Sequence, residues 1–245
     1  MSASHAAEQH RPARAQSTFG LALAAAIVAA WLAGHVYGVF AHPLTPVGLA
    51  VAPLFIAVQC WLNVGLFIVA HDAMHGSLAP FRPALNRAIG RLCLALYAGF
   101  SYDRLIASHF DHHRHAGTAA DPDFCEGEPR RFWPWYLAFF RRYFGWREFT
   151  ILTIVLLLYV ALGASPLNMA LLWGVPALLS SLQLFYFGTY LPHRHEDEPF
   201  RDDHRARSSE FSWLASLLSC FHFGYHHEHH TNPQVPWWRL PATRR

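Results

Sequence analysis

Hydrophobic positions dominate two long stretches of the chain that contain no Asp, Glu, Lys or Arg. The first runs from Ala15 to Ala70 and the second from Phe149 to His193. A helix that crosses a bilayer needs about 20 apolar residues, so these stretches are predicted to hold two helices each. The motifs HPLTP (His42–Pro46) and GASP (Gly163–Pro166) divide them at turns. The predicted spans, which form two helical hairpins, lie near residues 19–40, 47–70, 149–162 and 167–191.

The arginines indicate which way these hairpins face. All nineteen basic residues are arginines, and neither short turn contains one. They lie in the N-terminal tail, in the loop between the hairpins, or after the fourth predicted span. Because positively charged loops stay in the cytoplasm, we expect cytoplasmic termini and a cytoplasmic middle loop. The predicted fold class is an all-α integral membrane protein with four transmembrane helices.

Three shorter apolar segments are expected to form helices at the membrane interface, where Trp and Tyr are enriched. These segments are Ala88–Leu105, Phe132–Trp146 and Phe211–Gly224. With the spans, they predict one membrane domain over residues 17–241, preceded by a flexible cytoplasmic tail (1–16) and followed by a short tail (242–245).

Composition supports a membrane protein and excludes other classes. Apolar residues make up 53% of the 245 residues and charged residues 14%, whereas soluble domains carry about 25% charged residues. The four cysteines include no CxxC pair, which indicates free thiols. The charge of +3 is scattered, so no nucleic-acid partner is expected. A cleaved signal peptide is the alternative for the N-terminus, but the apolar run after Arg14 exceeds the usual length of about 7–15 residues.

Thirteen of the eighteen histidines fall in four motifs: HDAMH, HFDHHRH, PHRH and FHFGYHHEHHTNP. Residues three and four apart share one face of a helix, so His71 and His75 are predicted to reach one metal ion. The pattern HxxHH offers three imidazoles in the same way, and it occurs twice. All four motifs map to the predicted cytoplasmic side. A solvated polar tract would explain one motif, but the combination predicts a metal centre.

The donor set indicates which metal to expect. Imidazole suits iron, copper, nickel and zinc, and the histidines exceed the four ligands of a structural zinc site. The motifs contain no thiolates. A nitrogen-rich pair of irons open to O2 fits best. Nearby carboxylates are expected to orient the imidazoles rather than bind metal. They are Asp72, Asp121, Asp123 and Glu228.

The order HDAMH, HxxHH and HxxHH resembles the membrane fatty-acid desaturase and hydroxylase superfamily, a group of non-haem di-iron oxygenases. Longer stretches resemble the bacterial β-carotene 4-ketolases within it: HDAMHGSLAP, LNRAIG, LYAGFSYDRL, GTAADPDF, FGTYLPHRHEDEPF, RARSS, FHFGYHHEHHTNP and WWRLP. This resemblance covers most of residues 60–241.

The resemblance implies nine iron ligands. They are His71, His75, His109, His112, His113, His193, His226, His229 and His230. His195 is the alternative to His193. His115, His222 and His227 are left open between ligands and residues that orient ligands.

The resemblance also implies conversion of β-carotene through echinenone to canthaxanthin, a step of astaxanthin biosynthesis. Two successive hydroxylations at C4 of each ring, followed by loss of water, would give the ketone. Each turnover would use O2 and two electrons from reduced ferredoxin. The implied location is the cell inner membrane, with the di-iron site in the cytoplasm.

A carotenoid would enter from the lipid, since its length is similar to the thickness of the bilayer core, about 30 Å. Aromatic residues near the motifs are candidates to line its tunnel: Trp61, Phe67, Tyr97, Phe100, Phe185, Tyr186 and Phe187. The alternatives are a β-carotene 3-hydroxylase, an acyl-lipid desaturase, and a metal transporter or sensor. The charge-free spans argue against the last, because transport paths carry ionisable residues.

Overall fold

Both charge-free stretches form long helices that are separated by the predicted turns. The computed structural model describes residues 3–244, with side chains from residue 13, and contains no β-strand in that range. The helices are α1 (Ala3–Phe40), α2 (Pro46–His75), α3 (Pro83–Ala98), α4 (Tyr102–His115), α5 (Phe132–Tyr143), α6 (Trp146–Ala161), α7 (Pro166–His193), α8 (Trp213–Cys220), α9 (His226–Thr231) and a C-terminal 3-10 helix (Trp237–Thr243). The all-α prediction is confirmed.

Local sequence determines both ends of α2. The hydroxyl of Thr45 accepts a hydrogen bond from the backbone N–H of Gly48 at 3.2 Å, and Pro46 occupies the first turn, where no N–H is needed. At the other end Gly76 adopts φ +71°, and its N–H caps the helix. The HDAMH motif therefore forms the last helical turns of α2.

Three helices are long and apolar enough to cross a membrane: Ala13–Phe40, Pro46–His75 and Pro166–His193. A fourth crossing is available only if α5 and α6, which meet at a bend of 74°, act as one span. The predicted third span therefore corresponds to α6, a helix of 16 residues. By itself, α6 is shorter than the helix of about 20 residues that a bilayer crossing needs.

Two of the three segments expected to form helices at the interface are interrupted, whereas Phe211–Gly224 contains the single helix α8. Residues 88–105 do not form one helix, because the chain turns at Gly99, where φ is +69°, between α3 and α4. Segment Phe132–Trp146 breaks at residues 144–145, between α5 and α6. At the N-terminus α1 begins at Ala3, ahead of the predicted span. The division into residues 1–16, 17–241 and 242–245 stays a prediction.

The C-terminal half of α2 lies inside the protein. Except for Phe67, residues 62–74 are buried, packed among α1, α3 and α7. By contrast, Leu54 near the start of α2 is 71% exposed and Leu157 on α6 is 60% exposed, as expected of side chains that face lipid. The first half of α2 is therefore an apolar helix with exposed side chains, and its second half, which contains most of the HDAMH motif, lies in the protein interior.

Candidate metal centre

The nine histidines predicted as ligands converge at one end of the helices and separate into two groups. Within each group, one ring nitrogen of every histidine lies within 4.8 Å of the others. The first group is His71, His75, His109, His113 and His229; the second group is His112, His193, His226 and His230. Side chains from α2, α4, α7 and α9 meet here.

Helix geometry explains why each HxxHH motif serves both groups. With about 3.6 residues per turn, the first and last histidines of the motif, which are four residues apart, lie on nearly the same face of the helix. The middle histidine is rotated away from that face. On α4, His109 and His113 point to the first group and His112 to the second. On α9 the i, i+4 pair belongs to the second group, and His229 belongs to the first. The motif is thus suited to bridging two sites.

The ring nitrogens face one another at short distances. In the first group, His75 Nε2 lies 2.7 Å from His109 Nε2, and His113 Nε2 lies 3.0 Å from His229 Nε2. In the second group, His226 Nε2 lies 2.9 Å from His193 Nε2. His71 is buried, and neither of its nitrogens has a hydrogen-bond partner among the described residues. Such converging nitrogens fit a pair of transition-metal ions.

Burial favours the neutral form, which is the form that binds metal, in five of these histidines. Burial, reinforced by neighbouring histidines, holds the pKa of His109, His226, His229 and His230 well below the ordinary value. The same causes lower the pKa of His113 to about 2. The lone pairs are therefore available at neutral pH.

Asp121, one of the carboxylates expected to orient an imidazole, is hydrogen-bonded to His112. The Nδ1–H of His112 lies 3.0 Å from both carboxylate oxygens of Asp121, so its Nε2 is directed toward the second group. Burial alone would lower the pKa of His112, but the hydrogen bond and charge of Asp121 outweigh burial and raise it. His193 is oriented similarly, since its Nδ1–H donates to the carbonyl of Arg205 at 2.7 Å.

The other three predicted carboxylates have different main partners. Asp72 lies 3.7 Å from His71 Nδ1 and accepts a hydrogen bond from the backbone N–H of Trp237 at 3.1 Å. Asp123 is hydrogen-bonded to Tyr143 and lies 3.9 Å from His112. Glu228 points away from the histidine groups and binds Ser208 and Arg244. Only Asp121, of the four, makes a hydrogen bond to a clustered histidine in the described part of the chain.

The four histidines left open lie outside both groups. His115 is exposed, and the Nε2 of His195 lies 3.4 Å from the carbonyl of Gly117. His227 donates to Asp202 at 2.8 Å. His222 is buried beside Trp213 and Trp237. None of them reaches the clustered nitrogens in the region that the structure covers.

Four of the clustered histidines line an apolar cavity. Its lining includes His71 and His109 from the first group and His112 and His226 from the second. The remaining wall is mainly aromatic and aliphatic, contributed by α2, α3, α5 and α7. A hydrophobic molecule in this cavity would therefore contact histidines of both groups.

Three of the seven predicted substrate residues, Phe67, Tyr97 and Phe100, line this cavity. The other four lie elsewhere: Trp61 stacks on Phe221, Phe185 is buried among Trp135 and Tyr136, Tyr186 stacks on Tyr190, and Phe187 contacts Phe211. A role for any of the seven in substrate binding stays a prediction.

Sequence reasoning missed the contribution of α5 to the cavity. Phe139, Phe140, Tyr143 and Phe144 line it, together with Leu184 and Phe223. The aromatic spacing of four residues within α5 was the available signal, because it places two aromatic pairs on adjoining helix faces. The prediction that Phe132–Trp146 forms a helix at the membrane interface included no contact with the cavity.

Comparison with known proteins agrees with this arrangement. The family model for fatty acid desaturases matches residues 44–151 and 140–245. The chain is 52% identical to a beta-carotene ketolase of Paracoccus sp. (strain PC1), covering 92% of each chain, and 51% identical to one of Paracoccus sp. (strain N81106 / MBIC 01143), covering 91% of each. It is 41% identical to a beta-carotene ketolase of Haematococcus lacustris, over 80% of this chain and 63% of the relative. The chain therefore belongs to the fatty acid desaturase family, within the branch that contains the beta-carotene ketolases.

Proposed function

We propose that this protein is a membrane-bound di-iron β-carotene 4-ketolase, which converts β-carotene through echinenone to canthaxanthin. The observation that carries this proposal is that two histidine groups contribute side chains to the lining of one apolar cavity. The similarity to beta-carotene ketolases over most of the chain supports the substrate and the position of attack.

The five histidines of the first group would together hold one iron ion, and the four of the second group would hold the other. Bound iron would supply the O2 activation that hydrogen removal from C4 requires. Asp121 and the carbonyl of Arg205 fix the directions of His112 and His193. The aromatic wall excludes water and holds the ring, so that C4 rather than C3 faces the histidines. A displacement of about 1 Å costs on the order of a hundredfold in rate.

Each hydroxylation replaces one C4–H bond by C4–OH. It uses one O2, two electrons and two protons, and releases one water. A second hydroxylation at the same carbon gives a geminal diol, which loses water to leave the ketone. The allylic C4–H bond is weaker than an ordinary alkyl C–H bond, which favours this position. A ferredoxin-type donor would supply the electrons.

The membrane arrangement follows from the same assignment. We propose four spans, with α5 and α6 together forming the third, in the cell inner membrane. Both termini and the metal centre face the cytoplasm in this arrangement. The arginine-free turns support it, as does the position of His75 and His193 at the ends of α2 and α7.

The test is pigment analysis of a β-carotene-producing bacterium that expresses this chain, by liquid chromatography with mass detection. We expect echinenone and canthaxanthin to replace β-carotene. Zeaxanthin would instead identify a 3-hydroxylase of the same superfamily. Changed fatty acids with unchanged carotenoids would identify an acyl-lipid desaturase.

A further inference from the structure

A buried carboxylate–phenol pair interrupts the apolar wall of the cavity beside the histidines. Asp123 and Tyr143 both line the cavity, and the phenol donates a hydrogen bond to Oδ1 of the carboxylate. The side chain of Asp123 is only 14% exposed. Burial of a polar group costs free energy unless it is hydrogen-bonded. A cavity for a hydrocarbon alone would not need this acceptor.

Neighbouring residues hold both the backbone and the side chain of Asp123 in place. The backbone N–H of Asp123 donates to Asp121 at 2.8 Å, and Trp135 Nε1 donates to the carbonyl of Asp123 at 2.6 Å. Tyr143 fixes Oδ1. The second oxygen, Oδ2, lies 3.9 Å from His112 Nδ1, beyond hydrogen-bond distance. No hydrogen bond reaches Oδ2 from the described residues, so it is a positioned acceptor.

We propose that Oδ2 of Asp123, held by Tyr143, binds the hydroxyl group that the first oxidation places on the ring. This inference rests on the proposed function, because a ketone formed by two oxidations at one carbon passes through an alcohol. β-Carotene has no hydroxyl group and makes no such contact. The alcohol donates its O–H to the carboxylate, which keeps the same carbon against the histidines for the second hydroxylation.

The pair would therefore act on the second oxidation more than on the first. Hydrogen bonds to charged groups are stronger than neutral ones, so the alcohol would bind more tightly than β-carotene, which gains no such bond. The alcohol would remain in the cavity in preference to leaving for the lipid. Asp123 and Tyr143 would thus determine whether the product is an alcohol or a ketone.

The test uses a double variant, Asp123→Leu with Tyr143→Phe, in the full-length iron-loaded protein in lipid vesicles. Replacing both partners by apolar groups avoids leaving one of them buried without its hydrogen bond. Tyr136→Phe is the matched control, because it removes a hydroxyl from the same helix α5. That hydroxyl is bonded to Ser181 at 2.6 Å, and Tyr136 does not line the cavity, although Ser181 does. β-Carotene and its 4-hydroxy derivative are supplied separately.

We expect the ratio of 4-hydroxy to 4-oxo products from β-carotene to rise about tenfold in the double variant. The KM for the alcohol should rise about tenfold and the KM for β-carotene should change much less, while Tyr136→Phe keeps the wild-type ratio. An unchanged ratio, an equal loss with both substrates, or a loss of iron would overturn the inference. Absence of any oxygenated carotenoid from the wild-type protein would instead overturn the proposed function, and this inference with it.

Discussion

The imidazole rings of His113 and His230 stack face to face, with centroids 4.2 Å apart and 18° between their planes. His113 belongs to the first histidine group and His230 to the second. His112, which precedes His113 in the chain, belongs to the second group. The two groups therefore share a wall of imidazoles, and two metal ions held here would be close neighbours.

The second group should be the more sensitive to loss of a ligand, because it has four histidines and the first has five. We expect His193→Ala to lower the iron content from about two ions per chain to about one and to abolish ketone formation, since metal binding depends on ligand number. Iron analysis of purified protein measures this. His115→Ala, which changes an exposed histidine outside both groups, should retain both ions. Two ions and substantial ketone formation in His193→Ala would remove His193 from the ligand set.

Loss of the carboxylate behind His112 should weaken metal binding without removing a ligand. Asp121→Ala is expected to lower the affinity for one ion by about 10–100-fold, because the ring of His112 would lose its orienting partner. Competition with a chelator measures this affinity. The control is Asp111→Ala, since Asp111 forms an exposed pair with Arg114. Equal affinities in the two variants would contradict the orienting role of Asp121.

Close packing of α3 on α4 depends on a glycine. A Cβ on Gly90 would lie 2.1 Å from the ring of Tyr102. Gly90→Ala should therefore destabilise the protein by about 1–3 kcal/mol, the usual cost of overpacking. At Gly127 a Cβ would meet nothing within 4 Å, so Gly127→Ala is the control. Thermal unfolding in detergent compares the two variants. Equal unfolding midpoints would show that α3 and α4 accommodate the added methyl group without loss of stability, which would contradict the prediction.

Arg244 links the C-terminus to the helix that carries the last histidine motif. It donates to Glu228 at 2.9 Å and to the carbonyl of Ser209 at 2.8 Å, and it lies over the ring of Tyr225. Arg244→Gln should lower stability by about 1 kcal/mol, because the arginine is only partly exposed.

The matched control for Arg244→Gln is Arg130→Gln. The partner of Arg130 is Asp197, which is 96% exposed. Exposed ion pairs contribute about 0–1 kcal/mol, so the effect should be small. A larger change in unfolding temperature for Arg130→Gln than for Arg244→Gln would refute this account of the C-terminus.

Much of the histidine centre could be predicted from local spacing, but the division of its histidines into two groups could not. The i, i+4 relation of His109 and His113 follows from helical periodicity. The assignment of His229 to the same group depends on how α9 packs against α2 and α4. No local pattern specifies that contact.

The limits of prediction were similar in the fold. The length of the charge-free stretches was sufficient to predict α1, α2 and α7 as helices long and apolar enough to cross a membrane. It was insufficient for the predicted third span, where the break at residues 144–145 separates α5 from α6, and the two helices meet at a bend of 74°. Phe139 and Tyr143 of α5 line the cavity, which interfacial composition alone does not indicate.

The most direct test of the central claim combines iron analysis and product analysis on one preparation. Purified protein in lipid vesicles is supplied with β-carotene, O2 and reduced ferredoxin, and its iron content is measured alongside. We predict about two iron ions per chain and formation of echinenone followed by canthaxanthin. Unchanged β-carotene, or hydroxylation at C3 in place of a ketone at C4, from protein that carries both ions would contradict the account.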